Sequence, residues 1–118
     1  MLEITPLQTR EERSSAAVAV GARFIEDSLA YVALSDGKAI ALCQFKITGE
    51  GGEIHSLDSI TESDSCSLLS VLCRSVLSFI ELCGEERAYY LDTDTDERLI
   101  ASIGFQKDDC GKLSLKLR

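Results

Sequence analysis

Two runs of strand-forming residues, LAYVALS from Leu29 and KAIALCQFKI from Lys38, are separated only by Asp36 and Gly37. Asp-Gly is favoured in two-residue hairpin turns because both residues tolerate positive φ. The segment therefore predicts an antiparallel pair of strands, and any fold of this chain must contain it.

A third strand is predicted directly after this hairpin. The glycine-rich turn GEGG at residues 49–52 leads into EIHSLDSI at residues 53–60. The apolar residues Ile54, Leu57 and Ile60 do not alternate as they would in a regular strand, so the boundary near Asp58 is left open.

A helix is predicted before this three-stranded meander. TREE at residues 9–12 has the capping-box spacing, in which a threonine hydroxyl and a glutamate each satisfy a free N–H group. The helix should run from about Arg10 to Val20 and stop at Gly21.

A longer helix is predicted from about Ser65 to Cys83, with Gly84 as its stop. Asp64 or Ser65, directly ahead of it, can accept hydrogen bonds from its first free N–H groups as an N-cap. The apolar positions that recur at helical spacing are Leu68, Leu69, Leu72, Val76, Ile80 and Cys83.

The remaining elements are short. We predict strands over MLEIT and AYYLD, a helix opened by a capping box from Asp94 to Glu97 and closed by Gly104, and a final hairpin around Cys110-Gly111. The order β-α-β-β-β-α-β-α-β-β predicts one α/β domain over residues 1–118, with a mixed sheet that is antiparallel in its first half.

The charge of the chain argues against two classes of partner. A net charge of -8 repels nucleic acid and anionic membrane surfaces at long range. No apolar run approaches the length that spans a bilayer. We therefore expect no nucleic acid and no membrane partner, and a cytoplasmic protein.

The cysteines do not form a metal-binding or disulfide pattern. They are odd in number, include no CxxC pair, and share the chain with a single histidine. We expect no metal, and small buried thiols in a reducing compartment. The five are Cys43, Cys66, Cys73, Cys83 and Cys110.

The element order resembles that of the GNAT-type N-acetyltransferases over roughly residues 29–118. The matching stretches are GEIHSLDSI before the long helix, AYYLDTD after it, and LIASIGF near the end. The resemblance implies that the loop and long helix hold the pyrophosphate of coenzyme A, while the next strand splays away to make a slot for pantetheine. It also implies acetyl transfer to an amine.

The loop ahead of the long helix departs from the family pattern. Family members carry glycines and a Gln or Arg there, whereas this chain reads ITESDSCS. No glycine occurs from Glu53 to Cys83 and no lysine or arginine from Ile47 to Cys73, so the local charge opposes a phosphate. The acids in the second span are Glu50, Glu53, Asp58, Glu62 and Asp64.

Two further positions differ from the family. Ile100 stands where family members often have the tyrosine that protonates the leaving thiolate, and Asp94 stands where they often have an asparagine.

Candidate site residues follow from the resemblance. Glu53 lies where some members place a general base; the alternative is a solvated carboxylate after a glycine turn. His55 could accept a proton, although the sequence shows no second catalytic group beside it. If coenzyme A binds, its contacts would be the backbones of Leu57, Ser59, Ser65, Cys66 and Ser67.

Two functions are consistent with these observations. The first is an acyltransferase-fold protein whose acetyl-CoA binding and catalysis are weakened or lost, with an acidic rim suited to a cationic amine or a basic protein partner. The second is a non-catalytic binding or oligomerisation module on the same fold, including a homo-oligomer.

Overall fold

The structure, a computed structural model, describes residues 2–60, 65–91 and 97–117, with the side chains of Ser65 and Cys66 outside the description. Its element order is the predicted one. The elements are β1 (Leu2–Pro6), α1 (Arg10–Val20), β2 (Leu29–Ser35), β3 (Lys38–Thr48), β4 (Gly51–Ser59), α2 (Ser65–Leu82), β5 (Arg87–Tyr90), α3 (Glu97–Ile103), β6 (Gln106–Lys107) and β7 (Leu113–Lys116).

The strands form one mixed sheet in the order β1-β2-β3-β4-β5-β7-β6. Every neighbouring pair is antiparallel except β4 and β5, which are parallel because α2 connects them as a crossover. The antiparallel first half of the sheet is therefore confirmed.

Helices cover both faces of the sheet. On one, the α1 face, Ala17 and Val20 of α1 pack against Val32 and Leu42. On the other, the α2 face, α2 and α3 cover the larger core; its fully buried members include Cys43, Phe45, Ile54, Leu72 and Ile80. Alternation along each strand then assigns every side chain to one of these two faces.

The turn and cap predictions are confirmed where the structure describes them. Asp36 and Gly37 have φ of 50° and 83°, as a hairpin turn of this kind requires. The Thr9 hydroxyl accepts from the Glu12 N–H at 3.1 Å, and the Glu12 carboxylate accepts from the Thr9 N–H at 3.0 Å. The predicted caps at Asp64 and Asp94 lie outside the described residues.

A β-bulge at His55 explains the irregular pattern of β4. Gln44 of β3 is the partner of Ser56, and Phe45 is the partner of Ile54, so His55 is the extra residue on β4. The bulge puts Ile54 and Leu57, three residues apart, on the same α2 face. The lack of alternation in the sequence was the signal of this bulge.

Two glycines allow β4 to start very close to its neighbours. A Cβ at Gly51 would lie 2.5 Å from the carbonyl oxygen of Arg87, and a Cβ at Gly52 would lie 2.5 Å from Cδ1 of the fully buried Ile80. Only glycine permits this approach of β4 to both β5 and α2.

A buried glutamine joins the loop after α1 to the sheet. The side chain of Gln44 is fully buried; its Oε1 accepts from the Ile25 N–H at 2.9 Å. Its Nε2 donates to the Arg23 carbonyl at 2.8 Å and to the Ser56 hydroxyl at 2.9 Å. The carbonyl oxygen of this buried amide and both N–H groups of Nε2 therefore have hydrogen-bond partners.

The expectation that the cysteines are buried is only partly correct. Cys43 and Cys73 are buried, but Cys83 and Cys110 are exposed. Cys83 follows the end of α2, where the apolar face no longer meets the core. Cys110 lies in the β6–β7 turn, where its N–H binds the Asp108 carboxylate at 2.9 Å. The Cys66 side chain lies outside the description.

Replacing Gly52 by Ala should destabilise the fold by about 1–3 kcal/mol, because the new methyl group overlaps the Ile80 side chain. Urea denaturation measures this change. Gly49→Ala is the control, since a Cβ there meets no atom within 4 Å. The double variant Gly52→Ala/Ile80→Ala should lose less stability than the sum of the two single variants' losses, because removing the Ile80 side chain also removes the overlap. A loss equal to that sum would contradict the overlap.

Replacing Gln44 by Ala should cost about 1–3 kcal/mol, because it leaves the buried Ile25 N–H and its partners without hydrogen bonds. The same denaturation experiment tests this. Gln8→Ala, at an exposed position, should leave the midpoint unchanged. Equal stability of the Gln44 and Gln8 variants would refute the structural role of Gln44.

Candidate functional site

Among the described residues, β5 pairs only with the first part of β4. The parallel ladder joins Gly52 with Ala88 and Ile54 with Tyr90, and it ends with the Leu91 N–H donating to the Ile54 carbonyl at 2.9 Å. β4 continues for five more residues, to Ser59, in its ladder with β3. The ladder between the two parallel strands thus covers less than half of β4, which places a candidate gap beyond Ile54.

The predicted cofactor contacts lie around this gap. Leu57 and Ser59 belong to the part of β4 beyond Ile54, where they are the partners of Cys43 and Ala41 of β3. Ser65, Cys66 and Ser67 form the first turn of α2. The predicted contacts thus fall in two groups, one late in β4 and one at the start of α2, and residues 61–64 between them lie outside the description.

A carboxylate and an imidazole meet next to the gap. Oε1 of Glu53 lies 3.2 Å from Nε2 of His55, and the two side chains are 29% and 23% exposed. Sequence reasoning found each residue but not the pair. The spacing of two residues on one strand was the available signal, because such residues share a face.

The pair lies on the α1 face. Glu53 alternates with Ile54, which is buried on the α2 face, and its ladder partners are Lys46 on β3 and Tyr89 on β5. Tyr89 therefore shares its face, whereas Tyr90 packs against Phe105 on the opposite one. The two adjacent tyrosines thus point to opposite faces of the sheet.

The loop between α1 and β2 stands beside this pair. Gln44 and Ser56 form the next ladder pair on the face of Glu53. Gln44 holds the loop through its hydrogen bonds with the backbone of Arg23 and Ile25. Sequence reasoning missed Gln44, since a glutamine in an apolar strand gives no indication of what it will bind.

An ion pair anchors the outer part of the same loop to α1. Arg10 donates to both carboxylate oxygens of Glu26, with Nε to Oε2 at 3.1 Å, and its guanidinium lies 5.1 Å from the centre of the Phe24 ring. The hydrogen bond from Arg10 holds the pKa of Glu26 below its usual value. Gln44 thus holds the loop to the sheet, and Arg10 holds it to α1.

Two exposed apolar side chains follow the strands that flank the gap. Ile60 comes directly after β4 and is 50% exposed; Leu91 comes directly after β5 and is 41% exposed. The N–H of Ile60 donates to the Ile40 carbonyl at 3.0 Å, and the N–H of Leu91 donates to the Ile54 carbonyl at 2.9 Å. The end of the gap is therefore apolar at its sides, although its sequence neighbourhood is acidic.

Other candidate groups do not contribute chemistry at this site. The side chain of Ile100 is aliphatic and buried in the core, so this position supplies no proton donor. Burial raises the pKa of Cys73 to about 12, which keeps this thiol protonated. Within the described ranges, no three His, Cys, Asp or Glu side chains group as metal ligands would, and no helix is long and apolar enough to cross a membrane.

Comparison with known proteins gives a clear result for structure only. No protein-family model and no curated protein sequence matches this chain. Solved structures do match, at low sequence identity and over nearly the whole chain.

Three of these structures are representative. The ribosomal-protein-S18-alanine N-acetyltransferase of Escherichia coli has a TM-score of 0.76 at 14% identity, covering 99% of this chain and 94% of its own. A Desulfovibrio desulfuricans protein assigned to the GNAT family of acetyltransferases has a TM-score of 0.76 at 10% identity, covering 100% of both chains.

The N-acetylglutamate synthase of Neisseria gonorrhoeae, complexed with coenzyme A and N-acetyl-glutamate, has a TM-score of 0.77 at 16% identity. That match covers 100% of this chain and 35% of the synthase. Likeness at such low identity shows the fold alone. On that ground, together with the sheet order and the interrupted β4–β5 pairing, this chain has the GNAT-type N-acetyltransferase fold.

Proposed function

We propose that this chain is a divergent GNAT-fold acyltransferase that binds acetyl-CoA weakly and transfers the acetyl group to a cationic amine. The observation that carries the proposal is the end of the β4–β5 ladder at Ile54, directly beside the bulge at His55 and the Glu53–His55 pair. A slot for the donor and a proton acceptor are then adjacent.

The donor would enter the gap through its pantetheine arm. An extended amide-bearing chain can pair with strand backbone as a further strand would, here at Leu57 and Ser59. Ile60 and Leu91 supply apolar surface for the arm. The amides of Ser65 to Ser67 would face the pyrophosphate, against an acidic sequence neighbourhood that makes this contact weak.

Glu53 and His55 would remove the proton of the acceptor. When Nε2 of His55 donates to Glu53, Nδ1 remains as a proton acceptor. The pair first takes one proton from the cationic amine, directly or through water, so that the neutral nitrogen can attack the thioester carbonyl. The C–N bond forms, the C–S bond breaks and coenzyme A leaves as the thiolate, which takes up the second proton released from the nitrogen. The acidic rim raises the local concentration of a cationic amine or a basic protein segment.

A second candidate function is a non-catalytic binding or oligomerisation module, including a homo-oligomer. The acidic, glycine-free stretch before α2 favours it, because such a stretch lacks the features that normally receive a pyrophosphate. In both cases we expect a cytoplasmic protein, and the exposed free thiols Cys83 and Cys110 suit a reducing compartment.

The salt dependence of donor binding tests the electrostatic part of the proposal. If acidic residues repel the pyrophosphate, added NaCl should strengthen acetyl-CoA binding in isothermal titration calorimetry, because salt screens repulsion. Acetyl-pantetheine, which lacks the pyrophosphate, should bind independently of salt. The variant E62Q/D64N should bind acetyl-CoA more tightly than the parent at low salt.

The opposite salt dependence would show that the pyrophosphate meets net positive charge and would remove the repulsion argument. If neither acetyl-CoA nor acetyl-pantetheine binds, the proposed donor slot is excluded, and the non-catalytic module is the function that the experiment supports.

Replacing Glu53 by Gln should lower kcat for amine acetylation by about 10²–10⁴-fold, because His55 loses the carboxylate that accepts from Nε2 and leaves Nδ1 as the proton acceptor. Thiol release from acetyl-CoA measures the rate with a polyamine or a lysine-bearing peptide as acceptor. Donor affinity should stay within about twofold of the parent, since Glu53 lies on the acceptor side of the proposed slot. The control is Glu50→Gln, at an exposed turn position of equal charge; equal rates for both variants would exclude Glu53 from the proton transfer.

A further inference from the structure

Two positive side chains lie directly opposite each other at the far end of β5. Arg87 and Lys116 are partners in the antiparallel ladder between β5 and β7, and both are exposed. Ala88 and Leu115, their neighbours in the ladder, contribute to the core on the α2 face, so Arg87 and Lys116 both point to the α1 face. Like charges at opposed positions destabilise a sheet.

This pair borders a cleft of about 370 Å³ at the β5–β7–β6 end of the sheet. Register places Gln106, Ser114 and Lys116 on the same face as Arg87. The residues that line the cleft are Arg87, Gly104, Gln106, Lys107, Asp108, Ser114, Leu115 and Lys116.

The charge balance of the cleft is opposite to that of the whole chain. Arg87 and Lys116 contribute two positive charges on the α1 face, and Asp108 is the one carboxylate in the lining. Lys107 is the ladder partner of Leu113, so its side chain points to the α2 face. Asp108 Oδ1 already accepts from the N–H groups of Cys110 and Lys112 at 2.9 and 3.0 Å, and no salt bridge joins Asp108 to Arg87 or Lys116 within the described residues.

A serine hydroxyl lines the same cleft. Ser114 is only 8% exposed as a residue, and it lies on the α1 face beside Arg87, Lys116 and Gln106. A hydroxyl donor beside an arginine, a lysine and the Gln106 amide is suited to the oxygens of an anion.

We propose that this cleft binds the phosphoryl group of a small ligand. The guanidinium of Arg87 and the ammonium group of Lys116 neutralise the anion, and the Ser114 hydroxyl donates to one of its oxygens. The bound anion also relieves the repulsion between Arg87 and Lys116, so the ligand and the folded state stabilise each other.

The cleft is separate from the proposed donor slot. Arg87 is the first residue of β5, whereas the gap with β4 begins where β5 ends, at Tyr90. The two sites therefore lie at opposite ends of the same strand, and the failure of one proposal leaves the other intact.

Titration with inorganic phosphate, followed by the amide signals in ¹⁵N NMR spectra, tests the proposal. Phosphate should shift the amides of residues 87, 106, 107, 114 and 116 at ionic strength held constant with chloride. The single variants Arg87→Gln and Lys116→Gln should each bind phosphate at least about tenfold more weakly. Lys38→Gln, which removes an equal charge in the β2–β3 hairpin, should bind as the parent does. Acetate, an anion without a phosphoryl group, should bind more weakly than phosphate.

Thermal unfolding supplies a second measurement on the same proteins. Without phosphate, Lys116→Gln should melt at or above the parent temperature. Added phosphate should raise the melting temperature of the parent and of Lys38→Gln, and should raise those of the Arg87 and Lys116 variants much less. Affinity for acetyl-CoA should be equal in all of them. The proposal is overturned if phosphate shifts no amide in the cleft, if chloride or acetate produces the same shifts, or if the Arg87 and Lys116 variants bind phosphate as the parent does.

Discussion

The close approach of β4 to β5 and α2 at Gly51 and Gly52 is the constraint on which the candidate site depends. With no Cβ at either position, the start of β4 lies against the Arg87 backbone and the buried Ile80. The parallel ladder begins at Gly52 and extends to Ile54. The candidate gap beyond Ile54 therefore starts from a junction that is held by close packing against the core.

The bulge at His55 converts this anchored junction into a site. An extra residue bends the strand and increases its twist, and it does so where pairing with β5 ends. Glu53 and His55, two residues apart on this strand, lie on one side of it. Gln44, fully buried on the neighbouring strand, fixes the loop that stands beside them. The bulge, the Glu53–His55 pair and the residue that anchors the loop thus occupy three adjacent ladder positions.

Local patterns in the sequence predicted the elements well. The Asp36-Gly37 turn, the capping box at Thr9 and the glycine stop at Gly21 each depend on residues within a few positions of one another. The burial of Cys83 was predicted incorrectly, because helical spacing continues to the last turn while the core beneath α2 does not. The GNAT-type order of elements was also visible, whereas the contact between Glu53 and His55 was recognised only in the structure.

The sequence by itself determined the order of strands and helices, the negative charge of the chain, and the acidic, glycine-free stretch ahead of α2, because these are properties of neighbouring residues. Only the tertiary structure decided where the β4–β5 ladder stops, and only it placed Arg87 opposite Lys116 from twenty-nine positions away in the chain. Register between distant strands is fixed by the packing of the whole sheet, since a shift of one residue would move every side chain to the opposite face.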